Sequence, residues 1–249
     1  MPRYKLVLEY YGKPFVGWQR QENGPSVQAA LEAACTALSG EAVAAQAAGR
    51  TDAGVHALGM VVHIDLAKGL AADVVLNALN HLLKPAPIAV LAAEIVDDEF
   101  HARFSCTRRA YEYRIINRRA PLTIEAGRAW HVATPLDAEA MDAAAQLLLG
   151  HHDFTTFRTT VCQANSPEKT LDELSVSRAG GDIFIRCAAR SFLHHQVRSI
   201  TGSLVEVGRG RWRASDLKAA LEARDRARCG VVAPPDGLYF LHADYTNKK

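Results

Sequence analysis

Tyr4-Lys5-Leu6-Val7-Leu8-Glu9-Tyr10 alternates in side-chain character with a period of two, the pattern of a strand half buried in a sheet. Outward from it the period changes. Gly24-Pro25-Ser26 opens a helix with Ser26 placed to cap it, and Val27, Ala30, Leu31, Ala34 and Leu38 follow at helical spacing until Gly40. Two apolar segments, 43–48 and 58–66, precede a second helix over 71–83, where Val74, Val75, Ala78, Leu79 and Leu82 share a face. Ile88 to Val96 reads as another strand, so the order is β-α-β-β-α-β.

After Asp97-Asp98-Glu99 the same order returns. Residues 108–116 read as a strand, 137–149 as a helix stopped by Gly150, and 171–178 with 182–190 as a hairpin across Ala179-Gly180-Gly181. Residues 192–207 read as a helix ending at Gly208, an additional helix capped by Ser215 runs to Arg224, and 238–245 closes as a strand. Two such units in succession predict an α+β protein of two ferredoxin-like halves, 1–98 and 99–249. Each half would be an antiparallel sheet with helices on one face. No low-complexity linker separates them, which predicts one rigid body with a cleft between the halves.

The 249 residues, 49% hydrophobic and 22% charged, suffice for a sizeable core. The composition excludes a disordered chain, a collagen-like repeat and a disulfide miniprotein. No stretch approaches the roughly 20 apolar residues of a membrane helix. The N-terminus passes straight into the first strand without a signal-peptide pattern, so a soluble, cytoplasmic protein is expected. Five scattered cysteines without a C-x-x-C spacing read as reduced, idle thiols.

Net charge is only +2, but its distribution is uneven. Residues 1–98 carry 7 basic and 10 acidic side chains, residues 99–249 carry 22 and 17. Six arginines in 100–119 face only Glu112, and six in 186–213 face only Glu206. The planar arginine fork suits phosphate. Interleaved with Tyr111, Tyr113, Phe192 and Trp212, these clusters point toward nucleic acid. Arg108, Arg109, Arg118 and Arg119, with Arg209, Arg211 and Arg213, are the candidate phosphate contacts. Solvated faces are the competing reading.

Phosphate-binding glycine loops, zinc-protease motifs and calcium loops are absent from the sequence. The adjacent pairs His151-His152 and His194-His195 point their rings to opposite sides of any regular element, which argues against metal. One segment stands apart: Gly49-Arg50-Thr51-Asp52-Ala53-Gly54-Val55-His56 joins two apolar strands with glycines at both ends. Such a loop turns sharply and lets a substrate approach. Its carboxylate, Asp52, has the Arg50 guanidinium two residues away, and a nearby cation favours the ionised, nucleophilic form. A surface turn with Asp52 bonding its own backbone fits the same residues.

The segment Gly49 to Ala57 resembles the signature of the TruA family of tRNA pseudouridine synthases. Further blocks resemble the family in order. They are Gly17-Trp18-Gln19, Ser26-Val27-Gln28, Asp98 to Phe104, Arg109-Ala110-Tyr111-Glu112-Tyr113, Gly150 to Phe154, Phe192 to Arg198, and Gly237-Leu238-Tyr239. Together they span about residues 4–245. The resemblance implies a cofactor-free, metal-free isomerase acting on uridines 38, 39 and 40 of the tRNA anticodon stem-loop, and a homodimer. It places Asp52 as the catalytic aspartate and Arg50 as the arginine assisting base flipping. It places Tyr111 as the tyrosine stacking on the target base, Arg198 as the basic partner of the aspartate, and Leu238 as an apolar lining residue. Met60 stands where the family usually has Gln, Gln196 where it often has Met, and Asn80 to Pro85 departs from the usual Leu-Pro turn. These departures bear on position preference. A non-catalytic RNA-binding protein would have no need of the aspartate, and a hydrolase of free nucleosides no need of two arginine clusters.

Overall fold

The structure, a computed structural model, describes residues 1–245. Among these are ten strands and five α-helices, mixed in order, with mostly antiparallel pairing. Two compact units are formed, one by Met1–Arg109 with the chain from Tyr239 onward, the other by Ala110–Leu238.

In the first unit, β1 (Arg3–Tyr10) runs between β3 (His56–Asp65) and β4 (Ile88–Val96), antiparallel to both. The alternation of β1 puts Tyr4, Leu6 and Leu8 fully inside, with Val27, Leu31 and Cys35 of α1 (Val27–Ser39) and Val75 and Leu79 of α2 (Ala72–Leu82) also buried. Ser26 caps α1 as expected, its Oγ accepting from the Ala29 amide at 3.2 Å. The Asn80 side chain of α2 donates to the Val90 carbonyl and accepts from its amide, fastening α2 to the edge strand β4. The strand expected over 43–48 is only the pair Gln46–Ala47 (β2). The reason is room on the free edge of β3: β2 takes His63 and Val62, while the last strand, β10 (Leu238–Tyr245), takes His56 and Ala57 in parallel.

In the second unit the strand order is β5 (Cys106–Asn117), β9 (Asp182–Ala189), β8 (Glu168–Ala179), β7 (Gly150–Asp153), with β6 (Trp130–Val132) parallel to β5. The short strands β6 and β7 were not legible as strands. Helices α3 (Ala138–Ala145), α4 (Gln196–Gly208) and α5 (Ala214–Ala223) complete the unit.

Three helix expectations are corrected. The helix expected over 137–149 has Asp137 as its cap and gives way after Ala145 to a 3-10 turn over 146–148. The helix expected from Phe192 starts only at Gln196, because His195 adopts φ 66°. There the Gln196 carboxamide accepts from the Leu193 amide at 2.8 Å and closes a turn instead. Ser215 lies inside α5 rather than capping it; the Asp216 carboxylate takes the Arg213 amide at 2.8 Å, so the cap is Arg213 and the helix begins two residues earlier. All five cysteines are free thiols. No helix among the described residues is long and apolar enough to cross a membrane.

Candidate active site

The segment around Asp52 is held from its amino-terminal side by residues 10–18. The Thr51 carbonyl accepts from the Trp18 amide at 3.1 Å, and the Gly54 amide donates to Phe15 at 3.3 Å. Between them, the Val55 amide donates back to Asp52 at 3.1 Å, which makes the turn. This approach demands glycine twice. A Cβ on Gly12 would lie 2.0 Å from the Val55 carbonyl oxygen, and one on Gly17, at φ 112°, would lie 2.6 Å from that of Thr51. Residues 17 and 18 are themselves tied to α1, since Val27 and Gln28 donate to the Gly17 and Trp18 carbonyls. The resemblance blocks at 17–19 and 26–28 therefore belong to the support of the Asp52 loop.

His56 closes the other end. It is 1% exposed, and its Nδ1 accepts from the Gly12 amide at 2.9 Å. Its ring stacks on Tyr11 and on Tyr239, with centroids 5.0 and 4.8 Å away. The accepting Nδ1 fixes the tautomer with the proton on Nε2. Arg50 is exposed and Asp52 half-buried, so the loop carries a guanidinium and a carboxylate on a fixed backbone. The sequence pattern missed Tyr10, Gly12, Phe15 and Tyr11 as supports. Two glycines close together in a loop rich in aromatics were the available signal.

In the second unit, Tyr111 of β5 is buried, edge-on to Phe192 at 5.0 Å. Arg198 of α4 donates from Nε to the Ala233 carbonyl at 2.7 Å, and its own carbonyl accepts from the Ala233 amide at 3.1 Å. The Tyr113 hydroxyl donates to the next carbonyl, Pro234, at 2.7 Å. Burial pushes the Tyr113 phenol well above its usual value, opposed by the Arg198 charge, so it remains a neutral donor. The segment 233–237 is thus pinned by Arg198 and Tyr113, and buried Leu238 follows directly.

The arginine clusters are partly structural. Arg109 is 8% exposed; its guanidinium donates to the Ala48 carbonyl at 2.8 and 2.7 Å and to that of Arg103 at 2.8 Å. That corrects its reading as a phosphate contact. Arg209 and Arg211 both reach Glu206, at 2.9 and 3.3 Å. Arg114 pairs with Glu125, and Arg186 with Glu112.

A family model described as tRNA pseudouridine synthase matches residues 6–105 and 144–246. The tRNA pseudouridine synthase A of Maricaulis maris is 61% identical over 245 residues, covering 98% of each chain. That of Nitrobacter winogradskyi is 62% identical, covering 98% of this chain and 96% of its own. That of Zymomonas mobilis is 59% identical, covering 98% of this chain and all of its own. With the likeness running through the Asp52 loop and both of its supports, the chain belongs to the tRNA pseudouridine synthase family.

Proposed function

We propose that this isomerase converts uridine to pseudouridine at positions 38, 39 and 40 of the tRNA anticodon stem-loop, with Asp52 as its catalytic carboxylate. The observation that carries the reading is the Asp52 loop: a half-buried carboxylate on a turn whose backbone is bonded from both sides, in a chain matched end to end by tRNA pseudouridine synthases A. The reaction breaks a glycosidic bond, turns the base and forms a C–C bond. Nothing is oxidised, so no redox cofactor is required. A positioned carboxylate supplies covalent or proton-transfer assistance.

A base stacked in a stem must first leave it, at a cost of a few kcal/mol. Exposed Arg50 fills the vacated stack, and the Tyr111 ring receives the base. Stacking on an aromatic ring contributes about 1–3 kcal/mol per base. The resemblance assigns Arg198 as the basic partner of the aspartate and Leu238 as an apolar lining residue, and both roles belong to this proposal.

The description as ferredoxin-like halves, 1–98 and 99–249, belongs to the same proposal. The β-α-β-β-α-β order and the antiparallel neighbours β4-β1-β3-β2 support it for the first half. We further propose a cytoplasmic homodimer, since holding a stem from a distance asks for more surface than one pocket. Light scattering at micromolar concentration should give about twice 27.1 kDa. Mapping pseudouridine in total tRNA from cells with and without the gene tests the reaction. Loss at 38–40 supports it, and an unchanged map overturns it.

A further inference from the structure

The turn that follows β4 ends in an aromatic ring turned to solvent. Phe104 is 75% exposed, yet the backbone that carries it is unusually well fastened. The His101 amide donates to the Ser105 hydroxyl at 3.0 Å and the Ala102 amide to His63 Nδ1 at 3.1 Å. The Arg103 and Phe104 amides donate to His101 Nδ1 at 3.1 and 3.3 Å, and the Ser105 amide to the His101 carbonyl at 2.9 Å. Every amide from 101 to 105 is therefore bonded. Water exclusion does not explain a large apolar ring at this position, since the ring excludes little. A rigid turn presenting a ring is what a stacking contact requires, because little backbone freedom remains to be lost on binding.

Position and charge say what it would meet. The buried guanidinium of Arg109 donates from one nitrogen both to the carbonyl of Arg103 and to that of Ala48. These two carbonyls are thus no farther apart than two hydrogen-bond lengths. Ala48 is the residue from which the Gly49-Arg50-Thr51-Asp52 loop departs. The Phe104 turn and the Asp52 loop accordingly adjoin in the first unit, joined through Arg109. Exposed Arg103 lies over the Phe104 ring at 5.8 Å, and exposed Arg50 lies on the loop itself. An aromatic face with a guanidinium over it, on a turn that adjoins the Asp52 loop, suits a nucleobase with its phosphate.

We propose that Phe104 is a stacking platform for an unpaired base of the tRNA substrate, separate from the base being isomerised, with Arg103 beside it as a phosphate contact. This rests on the tRNA reading, but it concerns binding and is measured apart from catalysis. Binding of an unmodified tRNA transcript is followed by fluorescence anisotropy across a salt series, and turnover by tritium release from 5-tritiated uridine.

Phe104→Ala should weaken binding about tenfold and Phe104→Leu by a similar factor, whereas Phe104→Trp stays within about twofold. The slope of log K against log salt should be unchanged in all three, because a ring releases no counterion, while Arg103→Ala should flatten it by about 0.7–0.9. At saturating enzyme the single-turnover rate of Phe104→Ala should match wild type. Wild-type affinity in Phe104→Ala overturns the proposal. So does full affinity in Phe104→Leu, which would make the contact plain apolar packing. A Phe104→Ala protein that falls from dimer to monomer by light scattering assigns the ring to a subunit contact and overturns it as well. A wild-type protein that binds tRNA but releases no tritium strikes the isomerase reading instead.

Discussion

The hydroxyl of Tyr10 and Oγ1 of Thr51 lie 2.8 Å apart in the interior, tying the last residue of β1 to the residue before Asp52. Burial pushes the Tyr10 phenol well above its usual value, so the pair stays neutral at working pH. Trp18, whose amide holds the Thr51 carbonyl, has its ring 6.5 Å from that of Tyr10. Thr51 is therefore fixed through both side chain and backbone, and Asp52 inherits that position.

Removing one hydroxyl of this pair strands the other away from water. Tyr10→Phe should cost about 1–3 kcal/mol of stability, and the double variant Tyr10→Phe/Thr51→Val less than the sum of the singles. In activity, kcat should fall with KM little changed, since tRNA contacts are untouched. Urea denaturation with steady-state tritium release checks both, and an unaltered kcat would mean that Asp52 does not depend on this bond.

His63 should make the fold acid-sensitive. It is buried, its Nδ1 accepts from the Ala102 amide, and its pKa is pushed down to about 4 by burial and by the charges of Arg3 and His101, against Asp65. The folded value lies below the usual 6.5, so between about 4 and 6.5 the unfolded chain binds more protons. Stability is then complete above 6.5 and is lost as pH falls toward 4, by at most about 3 kcal/mol. His63→Asn keeps an acceptor and removes the titration. Between pH 7.5 and 5 its urea midpoint should fall less than that of wild type; equal falls would assign the acid sensitivity elsewhere.

Arg209 and Arg211 share Glu206 but differ in exposure, 22% against 66% of the side chain. The less exposed one is held in place, and the exposed one can exchange its carboxylate for phosphate at little cost. Arg211→Ala should flatten the salt dependence of tRNA binding by about 0.7–0.9, and Arg209→Ala should instead lower stability by about 1 kcal/mol. A double variant that flattens the slope by two contacts would place Arg209 on the RNA as well.

The sequence made the long periodic elements legible because their burial is one-sided. β1 and α1 show it, with alternate or i, i+3, i+4 positions inside and the Ser26 cap where its side chain predicts. Where a side chain overrides the period, the reading slipped. His195 at φ 66° and the Gln196 carboxamide delay α4 by four residues, and Asp216 sets the start of α5. β6 and β7 are too short to show a period. For the site, the Asp52 loop could be singled out by its residue types. Its supports could not, because the closeness of Gly12 to Val55, or of Arg109 to Ala48, is a property of distant segments meeting. The same blindness made Arg109 look like a phosphate ligand: charge is written in the sequence, and what the charge faces is not.

Asp52→Asn keeps the shape of the side chain and nearly its volume while removing the charge and most of its nucleophilicity. The loop is held by backbone bonds of Thr51, Gly54 and Val55 and by His56, none of which involves the carboxylate oxygens. The loop backbone should therefore keep its conformation in the variant. Binding rests on phosphate contacts and stacking, so affinity for tRNA should stay within about threefold of wild type. Tritium release should nevertheless drop to background. Tyr111→Phe separates the two roles from the other side: its ring keeps the edge-on contact with Phe192, so binding persists, while loss of the hydroxyl, a candidate proton carrier, slows product formation. If Asp52→Asn releases tritium within tenfold of the wild-type rate, the carboxylate does not carry the chemistry, and another group near the loop must.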